Sequence, residues 1–177
     1  MNRIYASLIL LAAGTLAFAT DAIPVKHQGA GRVYDKEPGF SIVPPQGWKR
    51  IKNADAAFMT IKDPQSEMNV LNVRSIKYDK APVENVGPAV RDALGKMSPD
   101  WKFIDEGYPT MEGKKCYMLI SQMPKTINKQ IVELQSIQYL IPTTRGVAFV
   151  VTFTTKASTF DQQKNAMQAA AVSIRTE

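Results

Sequence analysis

One histidine and one cysteine are all that the 177-residue chain offers for nucleophilic or zinc chemistry. Cys116 lies in "KKCYMLISQM", beside Lys114 and Lys115, whose charges favour a thiolate. The alternating apolar residues around it read instead as a strand, on which an unpaired cysteine serves as a small buried hydrophobe. His27 stands in "HQGAGRVYDK", ahead of the first regular pattern. A Ser-His-Asp or Cys-His arrangement holds its base rigidly against the nucleophile, and an extended lead-in does not provide that. The chain has no G-x-S-x-G, no H-E-x-x-H and no Cys/His cluster at zinc spacing, so zinc hydrolysis is excluded on ligand count.

Phosphate and carboxylate chemistry is thin as well. "GAG" at 29–31 lacks the third glycine and the preceding strand of a dinucleotide fingerprint, and no G-K-[ST] occurs. Asp105 and Glu106 in "FIDEGYP", and Asp63 with Glu67 in "KDPQSEM", carry oxygens suited to calcium but do not fit the EF-hand loop. They read as turn carboxylates. Glu133 shares a strand face with Gln135, and Arg74 shares one with Asn72. If those strands pair, Arg74 and Glu133 make a cross-strand ion pair or part of a polar cleft. Two aromatic and basic groupings complete the inventory: Trp48 beside Lys49, Arg50 and Lys52, and Trp101 beside Lys102. Tryptophan with Lys or Arg is an interface composition, while a large ring at an element boundary also seals the edge of a core.

The start of the chain reads as an export signal. The first 19 residues, "MNRIYASLILLAAGTLAFA", carry Arg3, an apolar run from Leu8 to Phe18, and Ala17-Phe18-Ala19 as a small-x-small cleavage pattern. The apolar run is about half of the ~20 residues that a spanning helix needs, so a cleaved signal peptide is expected rather than an anchor. No cysteine stands near the cleavage point to carry a lipid. Cleavage leaves about 158 residues, enough for one domain with a substantial core. It also leaves 21 of the 22 Lys and Arg against 16 Asp and Glu, a net charge of about +5. Charges of both signs are interspersed, with no basic block of the kind that binds nucleic acid. With one cysteine, no intramolecular disulfide forms.

The elements that must position these residues are short and mostly extended. After a lead-in over residues 20–33, with a short strand near Arg32 to Tyr34, come "FSIVP", "GWKRIK", "AAFMTIKDP" and "EMNVLNVRSIKY". Strands this close in sequence form an antiparallel meander. In "PVENVGPAVRDALGKMSP", Val86, Val90, Leu94 and Met97 fall on one helical face. Asn85 is placed to cap this helix, with Pro88 in its first turn and Ser98-Pro99 at its end. Strands return with "KFIDEGYPTM", "KKCYMLISQMP", "KQIVELQSIQYLIP" and "GVAFVVTFTT", cornered by "MEGKK" and "PTTRG". Val147, Phe149, Val151 and Phe153 point one way, and Ala148, Val150 and Thr152 the other; both faces are expected to be covered. A closing helix has Ser158 and Asp161 as a capping box and a stripe of Phe160, Met167, Ala171 and Ile174. The order predicts an α+β domain over 34–177, an antiparallel sheet flanked by helices in an α/β/α sandwich.

The series "GFSIVPPQGW", "VLNVRSIKY", "EGYPTMEGKKCYMLISQ", "YLIPTTRGVAFVVTFTT" and "STFDQQKNAMQAAAVSI" resembles the PsbP-like/Mog fold family, from about Tyr34 to Ile174. That resemblance implies the same α/β/α sandwich and a binding or assembly role without catalysis or a cofactor. No partner-binding residue of the family carries over to a position here. The expectation is thus an exported accessory protein, periplasmic or secreted, that recognises a protein or envelope component. Basic residues Lys49, Arg50 and Lys52 would steer an anionic partner, with Trp48, Trp101, Arg74 and Glu133 as further candidates. The alternative is a small-ligand or calcium-binding protein with a cleft between sheet and helix; a hydrolase using Glu133 or Cys116 is a third, remote reading.

Overall fold

In the computed structural model, residues 31–35, 39–52 and 57–176 are described. The segment 1–19, read from sequence as a signal peptide, and His27 lie outside them, as does the side chain of Met97. Period-two alternation of apolar residues builds a large sheet. Its seven strands pair antiparallel throughout: β3 (Lys49–Ile51), β4 (Met59–Lys62), β5 (Val70–Lys77), β6 (Lys102–Gly107), β9 (Tyr117–Ile127), β10 (Gln130–Pro142) and β11 (Val147–Lys156). Their spatial order is β3-β4-β5-β11-β10-β9-β6. A second sheet joins β1 (Val33–Asp35) and β2 (Phe40–Ile42) to the two-residue β12 (Arg175–Thr176), and β7 (Thr110–Met111) pairs with β8 (Lys114–Lys115).

Two helices cover the large sheet from opposite sides. Helix α1 (Val83–Met97) buries Val83, Val86, Val90 and Leu94 against Ile76, Tyr117, Leu119, Leu140, Ala148 and Val150. Helix α2 (Phe160–Val172) and the small sheet bury Phe160, Met167, Ala171 and Ile174, with Phe40 and Ile42, against Leu71, Val73, Ile137, Phe149, Val151 and Phe153. The alternation along β11 supplies both contacts, Ala148 and Val150 to the α1 side and Phe149, Val151 and Phe153 to the α2 side. This is the α+β architecture that the sequence implies, an antiparallel sheet between helical layers.

Local details depart from the expected ones for physical reasons. Helix α1 begins at Val83 with Pro82 at its cap, two residues before Asn85, which puts Pro88 inside the helix. The start is held from outside instead: the Tyr78 hydroxyl donates to the Ala81 carbonyl, and Val83 is drawn into the core beneath α1. Helix α2 follows a 3₁₀ turn over Ala157–Thr159, and no side chain caps its first turn, so the Ser158–Asp161 capping box does not form. Strand β9 continues through Pro124 to Ile127 because its neighbour β6 pairs with it only between Met118 and Gln122. Beyond that point β9 has a partner on one side, where a missing N–H costs little. The turn after it places Asn128 and Lys129 at φ 50 and 65, as a two-residue hairpin with this twist requires. Arg32 and Val33, from the end of the sequence lead-in, belong to the fold: Arg32 Nη1 donates to Ser41 Oγ (3.1 Å) and Ser173 O (2.8 Å), and Val33 pairs with Ile42.

Candidate functional site

The two faces of the large sheet are not covered alike. A 15-residue helix spans about 22 Å, and α1 lies over only one end of its face. Beyond Val150 and Leu140 that face carries Thr60 and Asn72, then Thr152 and Thr154 on β11, and Ser136 and Gln138 on β10, all half-buried and none within a hydrophobic cluster. Among the described residues no helix lies over Thr152, which both-sided covering of the sheet would have placed beneath one. The band is organised by cross-strand hydrogen bonds: Thr60 Oγ1 to Asn72 Oδ1 (2.9 Å), Gln138 Nε2 to Thr152 Oγ1 (3.0 Å), and Ser136 with Thr154 (2.9 Å). A small apolar cluster of Met68, Ile127 and Leu134 closes its far end.

Positive charge gathers on the same face. In register, Lys49 of β3 lies opposite Lys62 of β4, which lies opposite Val70 of β5. Like charges directly opposite destabilise a strand pair, although lysines also guard sheet edges against aggregation. Arg74 leaves β5 on this face, two residues from Asn72 and opposite Val150. Its Nε is shut away from water and has no hydrogen-bond acceptor among the described residues.

The residues singled out in the sequence do not converge. Trp48 is buried in the core below α2, at the end of a turn in which its backbone N–H donates to Pro45 O (3.1 Å) and Gly47 takes φ 83. Arg50 turns to the opposite face from Lys49 and is tied to Asp35 (2.7 Å) and Phe58 O (3.2 Å), so its charge is engaged within the fold. Lys52 is exposed at the end of β3. Trp101 is half-buried against the α1 core at the other end of the sheet order. Glu133 is exposed and accepts from Gln122 Nε2 (3.0 Å). The Arg74–Glu133 ion pair is ruled out by register: Arg74 aligns through Val150 with Leu140, which is roughly 23 Å along β10 from Glu133. Glu133 also takes the alternation of Ile137 and Ile141, on the opposite face.

Two other places carry chemistry-bearing side chains. Burial pushes the Cys116 thiol up to about 11, opposite to the shift a nucleophile needs, and the residue is wholly inside the core. Beside the start of α1 a cleft of about 460 Å³ is lined by Tyr78, Lys80, Glu84, Lys115 and Thr143 among others. There Lys115 Nζ donates to Glu84 Oε1 (2.6 Å), a bond that holds the Glu84 carboxyl below its ordinary range. Among the described residues no group of three or more His, Cys, Asp and Glu is placed to hold a metal ion, and no helix is long and apolar enough to cross a membrane.

Comparison with solved structures bears on the architecture. The chain superposes on cyanobacterial PsbP (CyanoP) from Synechocystis sp. PCC 6803 with a TM-score of 0.59 and 16% identity, over 86% of this chain and 98% of that one. It superposes on the Ran-binding protein Mog1p of Saccharomyces cerevisiae with a TM-score of 0.60 and 10% identity, over 86% and 96%. The fold is PsbP/Mog-like. LpqN of Mycobacterium tuberculosis, described as involved in cell envelope biogenesis, is similar at TM-score 0.53 and 16% identity over 82% and 90%. No protein-family model and no curated protein sequence matches the chain. The sequence signals for the PsbP/Mog-like fold were its corners and stripes. The alternation of β11 placed Thr152 on the face of Ala148 and Val150 but not in the band it joins with Thr60 and Gln138, whose sign is the polar pairs Ser136 and Gln138 of β10 and Thr152 and Thr154 of β11.

Proposed function

We propose that this chain is an exported, non-catalytic accessory protein that recognises a negatively charged protein or envelope component through the uncovered part of its large sheet. The observation that carries the reading is the gathering of Lys49, Lys62 and Arg74 on one sheet face where no helix of the described residues lies. A cationic face raises the encounter rate with anionic partners, and desolvated donors at its centre supply specificity. The leader-like segment 1–19 supports export. The PsbP/Mog-like neighbours support recognition over catalysis: one is named as Ran-binding and another as involved in cell envelope biogenesis. The nucleophile alternative is opposed by the buried, hard-to-ionise Cys116.

Fractionation tests this reading. Tagged protein recovered from periplasm or culture supernatant is expected to hold an envelope component that Lys49→Glu with Lys62→Glu releases, while the folded state is retained. Equal retention by the charge-reversed protein would count against it. A second reading, a small ligand, is favoured by the cleft beside the start of α1, and a thermal shift with one member of a small-molecule panel, lost in Lys80→Ala, would support it.

A further inference from the structure

The hydrogen bonds across the open band leave donors behind. Asn72 Oδ1 is occupied by the hydroxyl of Thr60, so the Asn72 amide N–H₂ remains to donate. Thr152 Oγ1 accepts from Gln138 Nε2, so the Thr152 hydroxyl keeps its own proton to donate. Asn72 and Thr152 are directly opposite each other across the β5–β11 ladder. Arg74 adds a guanidinium two residues along the same face, and strand geometry puts its Cα roughly 7 Å from that of Asn72, within reach of its long side chain.

The Arg74 Nε is the anomaly. Buried polar groups in folded proteins are nearly always matched, and a group that is not calls for a reason. Arg50, Arg91 and Arg175 each pair with a carboxylate, to Asp35, Glu106 and Glu112. Among the described residues Arg74 has no carboxylate partner and its Nε has no acceptor. A guanidinium on the same sheet face as an amide and a hydroxyl with spare protons, its Nε buried and unmatched, makes a set of donors that an oxygen anion would complete.

We propose that Arg74, Asn72 and Thr152 form an oxyanion site that takes the carboxylate or phosphate group of an anionic ligand. The biological source of the anion rests on the proposed function, the recognition of a negatively charged partner. The site itself is assayed with free anions, so the two fail separately.

The test is nuclear magnetic resonance of the purified exported protein, titrated at constant ionic strength with sodium acetate and separately with inorganic phosphate, against sodium chloride. The expected result is a saturable shift of the Arg74 Nε–H and Asn72 side-chain amide signals. A stronger response to acetate assigns a carboxylate, and a stronger response to phosphate assigns a phosphate group. Arg74→Met should weaken the response by at least about ten-fold, as loss of a charge-assisted donor does, and Arg175→Met should leave it unchanged. The thermal midpoint of Arg74→Met should stay level or rise, because an unmatched donor has been removed. Should that variant fail to fold, Thr152→Val carries the test and should weaken binding without loss of structure. Shifts equal to those with chloride, or a response unaltered in Arg74→Met or Thr152→Val, would overturn the proposal.

Discussion

Gly87 of α1 and the ring of Tyr117 in β9 meet without room for a methyl group: a Cβ on Gly87 would lie 2.6 Å from both Cδ2 and Cε2 of the ring. The ring cannot give way. Tyr117 is buried, and its hydroxyl donates to Glu106 Oε2 (2.8 Å), whose other oxygen accepts from Arg91 Nη1 (2.6 Å). This contact sets how close α1 sits on the sheet, and so how far it reaches over that face.

Gly87→Ala is therefore expected to destabilise the protein by about 1–3 kcal/mol in urea unfolding, despite the gain in helix propensity. Gly95→Ala, whose Cβ would meet Trp101 at an ordinary 3.8 Å, should be neutral or stabilising by up to about 1 kcal/mol. A pair of equal effects would contradict the packing account.

The chain of bonds from Tyr117 through Glu106 to Arg91 should behave as one unit. Glu106→Ala removes the acceptor shared by both donors and is expected to cost about 1–3 kcal/mol. Tyr117→Phe should cost less, about 1 kcal/mol. In a double-mutant cycle the two effects should be non-additive.

Lys129 offers the opposite outcome. It holds φ 65 in the hairpin turn joining β9 to β10, a region that favours glycine. Lys129→Gly should raise stability by roughly 1 kcal/mol, read as a higher urea midpoint at unchanged slope.

Alkaline pH should unfold the protein through its buried acids. Burial moves the Cys116 thiol from 9.0 to about 11 and the Tyr139 hydroxyl from 10.0 to about 12. Burial, followed by the hydrogen bond to Glu106, also raises Tyr117. Each proton is held more tightly folded than unfolded, so the cysteine contribution is whole below pH 9 and is lost as pH rises through about 11. Thermal midpoints should fall over that window, and Cys116 should stay inert to Ellman's reagent until the chain unfolds. Rapid reaction of the folded protein at mildly alkaline pH would refute this.

What the sequence made legible was local. The two-way alternation of Phe149, Val151 and Phe153 against Ala148 and Val150, the stripe from Phe160 to Ile174, and the Glu112-Gly113 corner each arise from period or turn chemistry within a few residues. The strand order, and β12 closing the small sheet beside β2, depend on pairings between distant segments that no local pattern encodes. The same holds for the site. Arg74 and Asn72 were visible as neighbours on one strand face, but the residues opposite them are Val150 and Thr152 and not Glu133, because strand register decides which side chains meet. Arg50 and Lys49 illustrate the converse: adjacent in sequence, they serve opposite faces.

Site-specific photo-crosslinking in living cells tests the central claim most directly, that the open sheet face is where a partner docks. A photoreactive residue at Thr154, in the middle of the open band, should yield a discrete adduct that disappears in the Lys49→Glu, Lys62→Glu background, while one at exposed Gln162 on α2 yields none. Adducts from Gln162 with none from Thr154, or adducts at Thr154 indifferent to charge reversal, would contradict it.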